Sequence, residues 1–363
     1  MSESGRIVAT YRLRVEPAEV DARAAALATE QSVEMPLEAI DDPGVRDGIV
    51  AQVARIEPAG GAFEVDIAIA PATTGYEAGQ LVNMLFGNCS LQPEVELVRV
   101  GFPRGYAGAF GGPRFGIGGW REATGVFGRP LTCTALKPQG STVEHLARLA
   151  HTFALAGLDV IKDDHGLANQ AFSPFAARVP AVQRAIDEAN RATGGNTLYA
   201  PTFSGGPAAL AQQAALARDC GVRAALVAPM LVGFPAFMAL RDMLGVPVMA
   251  HPAFGGASRV APAVLFGTLF RLFGADATIF PNHGGRFSYD RATCLAIAHA
   301  AREPWEDIAP ALPVPAGGMT LERVPGMRAD YGNDTMLLMG GGLLIARGQL
   351  LERSRDFVRA VAS

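Results

Sequence analysis

The feature that most constrains this chain is an alternation of short apolar strand patterns with longer helical patterns from Thr132 to the C-terminus. The strand patterns start with apolar and β-branched residues, as parallel strands buried on both faces do. Eight such strand–helix units predict a closed (β/α)₈ TIM barrel. A doubly wound open sheet is the alternative, and it fits less well because polar residues recur at nearly every strand end. The predicted strands are 133–138, 157–165, 196–204, 223–230, 247–252, 276–283, 312–318 and 335–342.

The first 103 residues have a different order of elements. Strand and helix patterns follow one another as βαββαβ, which predicts a small ferredoxin-like α+β domain. A Gly-rich segment, 105–125, is interpreted as a domain boundary or an active-site loop rather than a helix or strand. We therefore predict an N-terminal α+β domain over 1–125 and a barrel over 126–363. The patterns are strands at 7–15, 50–58, 63–71 and 95–103, and helices at 17–29 and 77–88.

The composition predicts the class of partner. A net charge of −4 and a pI near 5.9 argue against nucleic acid or an anionic membrane as the main partner. No apolar run reaches the roughly 18 residues of a membrane span, and the N-terminus has no signal-peptide pattern. The four cysteines are far apart, as buried thiols in a reducing compartment are. We expect a cytoplasmic protein that acts on a small molecule.

Only two of the 31 cationic Lys and Arg side chains are lysines, Lys137 and Lys162. Arginine is effectively always protonated, whereas a buried lysine can lose its proton and act as a base, a nucleophile or a carbamate former. Lysine is therefore expected to persist where arginine cannot do the chemistry. Both lysines fall at the ends of predicted barrel strands.

Reacting groups in a (β/α)₈ barrel come from the C-terminal ends of several strands. The polar and glycine residues at these ends are candidates for catalysis and for binding a substrate. They are Lys137, Lys162, Asp164, His165, Thr202, His251, His283, Arg286, Gly317, Gly318, Gly340, Gly341 and Gly342.

The run from Lys162 to His165 is the sharpest of these signals. Alternate residues of a strand share a face, so Lys162 and Asp164 point into the barrel mouth and His165 can turn in beside them. Such a group can bind a hard metal ion if CO₂ converts the lysine into an anionic carbamate. A Lys–Asp ion pair that caps the strand, with His165 in solvent, is an equally good interpretation.

Two further signals point to the same mouth. His251 and His283 follow adjacent strands, which favours a catalytic function for both. Glycines end strands seven and eight at 317–318 and 340–342. Barrels often bind phosphate with the loops after these two strands, because glycine lets backbone N–H groups approach an anion. Tight turns without a ligand are the alternative.

The motifs together resemble the RuBisCO large-subunit superfamily. Residues 157–165, GLDVIKDDH, resemble its metal motif, and 127–140, FGRPLTCTALKPQG, resemble its first barrel strand. Five shorter motifs occur in the family's order: GNCS (87–90), GGPRFGI (111–117), HGG (283–285), PVPAGG (313–318) and YGNDTMLLMGGG (331–342).

The resemblance implies a role for each matching residue. Lys162 matches the carbamylated lysine that binds Mg²⁺ or another divalent metal, Asp164 the second ligand, and His165 the third ligand position. Lys137 matches the lysine that transfers a proton at the enolisable carbon. Glu30 and Asn88 match residues that complete the site of a neighbouring subunit, which implies at least a homodimer.

Departures from the family pattern argue against carboxylation of ribulose bisphosphate. The third metal ligand is glutamate in the family and is His165 here, and Mg²⁺ prefers oxygen ligands. Gln139 stands where the family has a second lysine, and Pro252 stands where it has a phosphate-binding arginine. The loop after the sixth strand has no lysine. The chain is therefore identified as a RuBisCO-like, form IV member that binds one phosphate.

The resemblance implies metal-assisted enolisation of a phosphorylated keto sugar, with Lys137 moving the proton. The first expectation is a lyase of carbohydrate catabolism that decarboxylates, transcarboxylates and hydrolyses a keto sugar acid such as 3-oxo-isoapionate 4-phosphate. The alternative is an isomerase or enolase of a methylthio-ribulose-type phosphate in methionine salvage. Two further alternatives are a metal-free ligand-binding barrel and a Schiff-base aldolase that uses Lys137 or Lys162.

Overall fold

The computed structural model describes residues 5–287, 289–306 and 308–363, and the chain forms two compact units. The first unit contains the residues through Gly112 together with Gly255–Leu265 and Trp305–Ile308. The second contains Pro113–Phe254, Phe266–Pro304 and Ala309–Ser363. Among the described residues, no helix has both the length and the apolar character that crossing a membrane requires.

The first unit is an antiparallel sheet with helices, in the predicted βαββαβ order. Its strands lie in the order β2-β3-β1-β4, as in a ferredoxin-like domain. Alternate residues of β1 are buried, including Ile7, Ala9 and Tyr11, because one face of the strand packs on the core. Helix α2 was not predicted. The elements are β1 Ile7–Leu13, α1 Val20–Glu30, α2 Pro43–Gly48, β2 Gln52–Ala59, β3 Ala62–Ile69, α3 Ala78–Phe86 and β4 Val95–Gly101.

The second unit alternates parallel strands with helices, as the sequence predicts. Its strands are β5 Leu131–Leu136, β6 Val160–Asp163, β7 Leu198–Ala200, β8 Thr202–Phe203, β9 Ala225–Val227, β10 Val248–Ala250, β11 Ala277–Pro281, β12 Leu312–Ala316 and β13 Met336–Leu338. Its helices are α4 Gly116–Thr124, α5 Val143–Leu155, α6 Phe175–Thr193, α7 Pro207–Asp219, α8 Pro229–Val232, α9 Phe234–Leu244, α10 Phe270–Leu272, α11 Arg291–Arg302, α12 Val324–Tyr331, α13 Gly341–Leu344 and α14 Leu350–Ala362.

Two hydrogen-bonded sheets share one hydrophobic core. The sheet orders are β13-β5-β6-β7 and β12-β11-β10-β9-β8. Pro201 separates β7 from β8, which continue one another and give eight strands around the core. Side chains of all eight pack into a single buried cluster, which is the interior of a barrel. Its members include Cys133, Val160, Leu198, Leu226, Met249, Ile279, Val314 and Met336.

Prolines explain why no ladder joins β12 to β13. The N–H of Leu312 donates to the Asp276 carbonyl on the β11 side. N–H groups of successive residues point to opposite edges of a strand, so Pro313 and Pro315 occupy the positions that face β13. Proline has no N–H, and these two positions therefore give β13 no donor.

The prediction that 105–125 contains no helix or strand is wrong for α4. Gly116–Thr124 is helical, and its Trp120 is fully buried in the barrel core. Asp276 Oδ1 accepts hydrogen bonds from the N–H groups of Phe115 and Gly116 at the start of this helix. Glycine has a low helix propensity, so this segment shows no helical pattern in the sequence. The helix forms nevertheless because it packs against the barrel core. The first change of unit falls after Gly112, since α4 packs with the second unit.

Candidate active site

Lys162 lies inside the barrel at the end of β6. Its side chain is 3% exposed, and Nζ donates a 2.9 Å hydrogen bond to the Asp163 carbonyl oxygen. Burial lowers the pKa of the Lys162 amine, because the charged form loses hydration. The neutral amine is the form that reacts with CO₂, so the environment is compatible with the predicted carbamate.

Asp163 points away from the mouth, as strand alternation requires. Its Oδ2 accepts from Arg178 Nε at 3.0 Å, and its Oδ1 accepts from the Tyr199 hydroxyl at 2.8 Å. Both side chains of the Asp163–Arg178 pair are fully buried. Neither residue was predicted as a site residue, although a buried aspartate needs a charged or hydrogen-bonding partner.

Three predicted site residues meet at one carboxylate oxygen. Asp164 Oδ1 lies 2.5 Å from Lys137 Nζ and 3.3 Å from His165 Nδ1. Partial burial opposes ionisation, but hydrogen bonds from His165 and Lys137 outweigh it and hold the pKa of Asp164 well below its usual value. The carboxylate is therefore charged across the physiological range and aligns both partners.

His251 joins this group through a ring contact. The imidazoles of His165 and His251 stack with centroids 4.2 Å apart and planes inclined by 9°. His251 Nδ1 accepts a 3.1 Å hydrogen bond from the N–H of Ala253. Burial and the nearby Lys162 hold the pKa of His251 well below its usual value, so the ring is neutral and carries its proton on Nε2.

His283, after β11, has a different partner. Its Nε2 lies 2.9 Å from Asp330 Oδ2, and Arg291 Nη2 lies 2.6 Å from the other oxygen of Asp330. Asp330 thus fixes the orientation of the imidazole. Asp330 was not predicted, because it lies on α12, nearly fifty residues after His283, and no local pattern connects the two.

The glycine loops after strands β11, β12 and β13 pack backbone against backbone. A side chain on Gly285 would place its Cβ 1.9 Å from the Gly317 carbonyl oxygen, and one on Gly342 would lie 2.5 Å from the Met319 carbonyl. Gly317 has φ +90° and Gly318 has φ +76°, which favour glycine. These glycines are therefore required by the structure whether or not a phosphate binds.

Gly340 lies in the glycine loop that passes beside the Lys137–Asp164 ion pair. A Cβ at this position would lie 3.8 Å from Lys137 Cε, so the loop after β13 passes directly beside that lysine. Gly341 follows as the first residue of α13. The loop predicted to bind phosphate therefore borders the residue predicted to move the proton.

Arg286 and Thr202, both predicted to bind substrate, have contrasting environments. Arg286 is exposed, and its guanidinium lies 5.0 Å from the centroid of the Phe287 ring, which borders Gly317. Thr202 is 3% exposed, and its hydroxyl donates to the Asp164 carbonyl at 3.1 Å. Arg286 is thus free to reach an anion, whereas the Thr202 hydroxyl already supports the chain at Asp164.

Glu30 and Asn88 contact each other within the first unit. Asn88 Nδ2 donates to Glu30 Oε1 at 2.8 Å and to Glu34 Oε1 at 3.0 Å. Glu34 was not selected from the sequence. The expected role of Glu30 and Asn88 in the site of a neighbouring subunit stays a prediction.

The donor set fits Mg²⁺ poorly. Within the described ranges, no three His, Cys, Asp or Glu side chains are grouped to hold a metal ion. Asp164 is the one carboxylate of the predicted set, and Lys137 and His165 already occupy its Oδ1. Lys162 would add an oxygen only as a carbamate, while Mg²⁺ prefers several oxygen ligands. Binding of a divalent metal stays a prediction.

Comparison with known proteins places these observations in a family. Residues 116–276 match the model of the ribulose bisphosphate carboxylase large chain, catalytic domain. The chain is 52% identical to ribulose bisphosphate carboxylase-like protein 1 of Rhodopseudomonas palustris, over 100% of this chain and 99% of that protein. It is also 52% identical to the 5-methylthioribulose-1-phosphate isomerase of Rhodospirillum rubrum, over 98% and 96% of the two chains.

A more distant relative and a solved structure agree. The 2,3-diketo-5-methylthiopentyl-1-phosphate enolase of Geobacillus kaustophilus is 36% identical over 76% of this chain and 70% of that protein. The crystal structure of the Rubisco-like protein from Rhodopseudomonas palustris superposes with a TM-score of 0.92 at 50% identity, and covers 99% of this chain and 98% of that one. The predicted fold and family are thus confirmed, and the chain belongs to the RuBisCO-like proteins, form IV of the RuBisCO large-chain superfamily.

Proposed function

We propose that this protein isomerises or enolises a phosphorylated keto sugar with a methylthio group, of the 5-methylthioribulose 1-phosphate type. The relatives with 52% and 36% identity carry the names of an isomerase and an enolase of such substrates. These names favour the methionine-salvage alternative over the keto sugar acid that was the first expectation from the sequence.

The observation that carries the proposal is the meeting of Lys137, Asp164 and His165 at the strand ends, beside Gly340. Isomerisation of a keto sugar moves a proton between carbon atoms and needs a base, an acid and a stabiliser of the enediolate. Lys137 and the imidazoles supply these groups. The glycine loops and exposed Arg286 would hold the phosphate, whose charge fixes the sugar against the proton-transfer residues.

The family resemblance also implies Mg²⁺ with a carbamate on Lys162. Lys162, Asp164 and His165 match the family's metal ligands, but this donor set fits Mg²⁺ poorly, so the proton transfer is assigned to side chains alone. Asp164 orients Lys137 and His165, the His251 Nε2–H donates to an oxygen, and the walls of the barrel exclude water from the reacting carbons.

The direct test is substrate turnover in D₂O followed by NMR. We expect 5-methylthioribulose 1-phosphate to be isomerised with deuterium uptake, and ribulose bisphosphate with bicarbonate to give no carboxylated product. Lys137→Met should lower turnover by on the order of 10²–10⁴-fold, the usual contribution of a positioned acid or base. His299→Gln, a change at a side chain that is 76% exposed on α11, is the matched control. Turnover of 3-oxo-isoapionate 4-phosphate but of no methylthio sugar phosphate would refute the proposal.

We further propose that the active unit is a homodimer in which Glu30 and Asn88 complete the neighbour's site. Subunit complementation tests this. Lys137→Met and Asn88→Ala variants, each inactive alone, should regain activity on mixing and refolding, because one site of a mixed dimer then lacks both changes. Mixtures as inactive as the separate variants would show that each chain carries its whole site.

A further inference from the structure

We propose that Asp330 is a positioning residue, which leaves the Nδ1 lone pair of His283 open to accept a hydrogen bond from a hydroxyl of the substrate. His283 follows β11 at the mouth of the barrel, and Asp330 lies on α12. The inference rests on the proposed function and deepens it, because it names the group of the keto sugar that His283 recognises. Asp330 is not among the residues to which the family resemblance gives a role.

The charge of Asp330 is balanced by an arginine. Arg291 donates from Nε and from Nη2 to Asp330 Oδ1, at 2.9 and 2.6 Å. These hydrogen bonds hold the pKa of Asp330 below its usual value, so the carboxylate is ionised at neutral pH. The other oxygen, Oδ2, lies 2.9 Å from His283 Nε2. Because Arg291 balances the carboxylate, His283 is not needed as a cation and can bind Asp330 as a neutral imidazole.

The hydrogen bond to Asp330 fixes which nitrogen of the neutral His283 ring carries the hydrogen. An ionised carboxylate only accepts hydrogen bonds, so Nε2 is the donor and the lone pair of the ring is on Nδ1. Among the residues that the structure describes, none is a hydrogen-bond partner of this Nδ1. The side chain is 25% exposed. The one acceptor of the ring is therefore available to a ligand.

Helix α12 and the residue before it also hold the main chain around His283. Arg323, directly before α12, donates from Nη2 to the carbonyl oxygen of His283. The hydroxyl of Tyr331, next to Asp330 in the helix, donates to Asn282 Oδ1. His283 is thus fixed at its backbone and at one ring nitrogen. Such a side chain loses little further freedom when it binds a ligand, which favours a role in recognition.

A hydroxyl is the ligand that fits this nitrogen. Ionised phosphate oxygens accept hydrogen bonds and need a donor, which a lone pair cannot supply. A keto sugar of the proposed type also carries hydroxyls, and each of them has a hydrogen to donate. A site built to bind a hydroxyl rejects an analogue that lacks it, because the polar group of the site then stays unpaired. His283 would therefore select for the hydroxyl pattern of the sugar.

NMR can read the tautomer of His283 without a substrate. In protein with ¹⁵N-labelled histidines at about pH 8, above the pKa of ordinary histidine, we expect His283 as the Nε2–H tautomer. Loss of its signals in His283→Gln assigns them. Asp330→Asn should invert the tautomer, because Arg291 binds the amide oxygen and the NH₂ group then faces Nε2. Asp219→Asn, at an exposed aspartate that ends α7, is the matched control and should leave the tautomer unchanged.

Two analogues that each lack one hydroxyl test what Nδ1 binds. The 3-deoxy and 4-deoxy forms of 5-methylthioribulose 1-phosphate are compared as competitive inhibitors. We expect His283→Leu to weaken one analogue roughly 3- to 10-fold and to leave the other unchanged, because the second lacks the hydroxyl that His283 binds. Asp330→Asn should weaken the same analogue alone, and Asp219→Asn neither. A damaged fold would weaken both, so the ratio of the two inhibition constants separates recognition from structure.

Several results would overturn the inference. They are a wild-type His283 with its hydrogen on Nδ1, a tautomer that Asp330→Asn does not change, and two analogues that respond equally to His283→Leu. Conversion of His283 to the imidazolium by inorganic phosphate would also overturn it, because Nδ1 would then face the phosphate. If the wild type turned over no methylthio sugar phosphate, the proposed substrate would fail. The tautomers of the wild type and of Asp330→Asn would still decide whether Asp330 positions His283.

Discussion

Arg178 Nε donates a 3.0 Å hydrogen bond to Asp163 Oδ2 in a fully buried ion pair directly behind the site. The same guanidinium donates to the carbonyls of Ser173, Leu167 and Ala168, and so ties the loop after β6 to α6. The pair holds the strand segment between Lys162 and Asp164. The ion pair therefore helps to position the candidate catalytic residues on either side of Asp163.

We predict that Arg178→Met destabilises the protein by about 3–5 kcal/mol, because removing one partner leaves a buried charge without compensation. Urea unfolding followed by circular dichroism measures the change. Arg184→Met, at an exposed arginine of the same helix, should change the free energy of unfolding by less than about 0.5 kcal/mol. Equal changes in the free energy of unfolding for the two substitutions would show that the buried ion pair stabilises the protein no more than an exposed arginine does.

Lys162→Met should have the opposite effect on stability. Burial lowers the pKa of the Lys162 amine in the folded protein, so the unfolded chain binds this proton more tightly. Stability of the wild type therefore rises as pH rises toward about 10.4, the pKa of an unperturbed lysine. Methionine removes the buried amine and should raise the free energy of unfolding at pH 7 by about 1–2 kcal/mol.

The pH dependence separates this cause from a general packing effect. The stability difference between Lys162→Met and the wild type should shrink as the pH approaches about 10.4, where the lysine of the unfolded chain also becomes neutral. Unfolding curves at pH 7, 8.5 and 10 measure this trend. If the difference in unfolding free energy between Lys162→Met and the wild type stayed constant with pH, the buried Lys162 amine would not be its cause.

The sequence predicted the order of the elements because strand and helix periodicities are local. The eight strand patterns from Thr132 onward and the alternation in 7–15 needed no knowledge of tertiary contacts. Helix α4 could not be predicted, because its glycines give no helical signal and Trp120 stabilises it only through the barrel core. The break between β12 and β13 was readable in Pro313 and Pro315, but only once the strand order was known.

Most residues of the candidate site could be predicted from the sequence, but most of the contacts between them could not. Strand alternation placed Lys162 and Asp164 toward the mouth, and both the ion pair and the ring stack involve residues selected from the sequence. The ion-pair partner of Asp164 was harder to predict, because it is Lys137 from another strand and not Lys162 from the same strand. Asp330 and Arg178 were missed because a supporting residue on a helix has no sequence signature of its own.

The contact between Gly285 and Gly317 predicts how the phosphate loops respond to added bulk. Alanine at 285 would place its Cβ 1.9 Å from the Gly317 carbonyl, so the two loops must separate. We expect Gly285→Ala to lower kcat/KM for the phosphorylated substrate by on the order of 10- to 100-fold, as a displaced binding group does. Calorimetry with inorganic phosphate should show the same weakening.

Gly326→Ala is the control for this prediction. Gly326 is exposed in α12, with no atom within 4 Å of an added Cβ. The Gly326→Ala substitution should stabilise the protein by about 0.5–1 kcal/mol without changing turnover, because alanine has a higher helix propensity than glycine. Unchanged kcat/KM in Gly285→Ala would show that these loops do not bind the phosphate.

Phe254 combines backbone strain with an exposed aromatic ring three residues after His251. Its φ is +67°, and its side chain is 65% exposed. A non-glycine residue in this conformation costs on the order of 1 kcal/mol and is typical of functional sites. We predict that the ring contacts the methylthio end of the substrate. Phe254→Ala and Phe254→Gly should therefore both raise KM for the methylthio substrate, while KM for ribulose 1-phosphate stays unchanged.

The two variants also separate strain from binding, because both remove the ring and only glycine relieves the strained φ. Phe254→Gly should be more stable than Phe254→Ala by about 1 kcal/mol in thermal unfolding. Phe127→Ala, at a ring that is 66% exposed just before β5, is the control and should leave KM unchanged. Because Phe127 precedes its strand, it lies at the end of the barrel opposite the site. An equal rise of KM for both sugars in the Phe254 variants would mean that the ring shapes the loop after β10 rather than recognising sulfur.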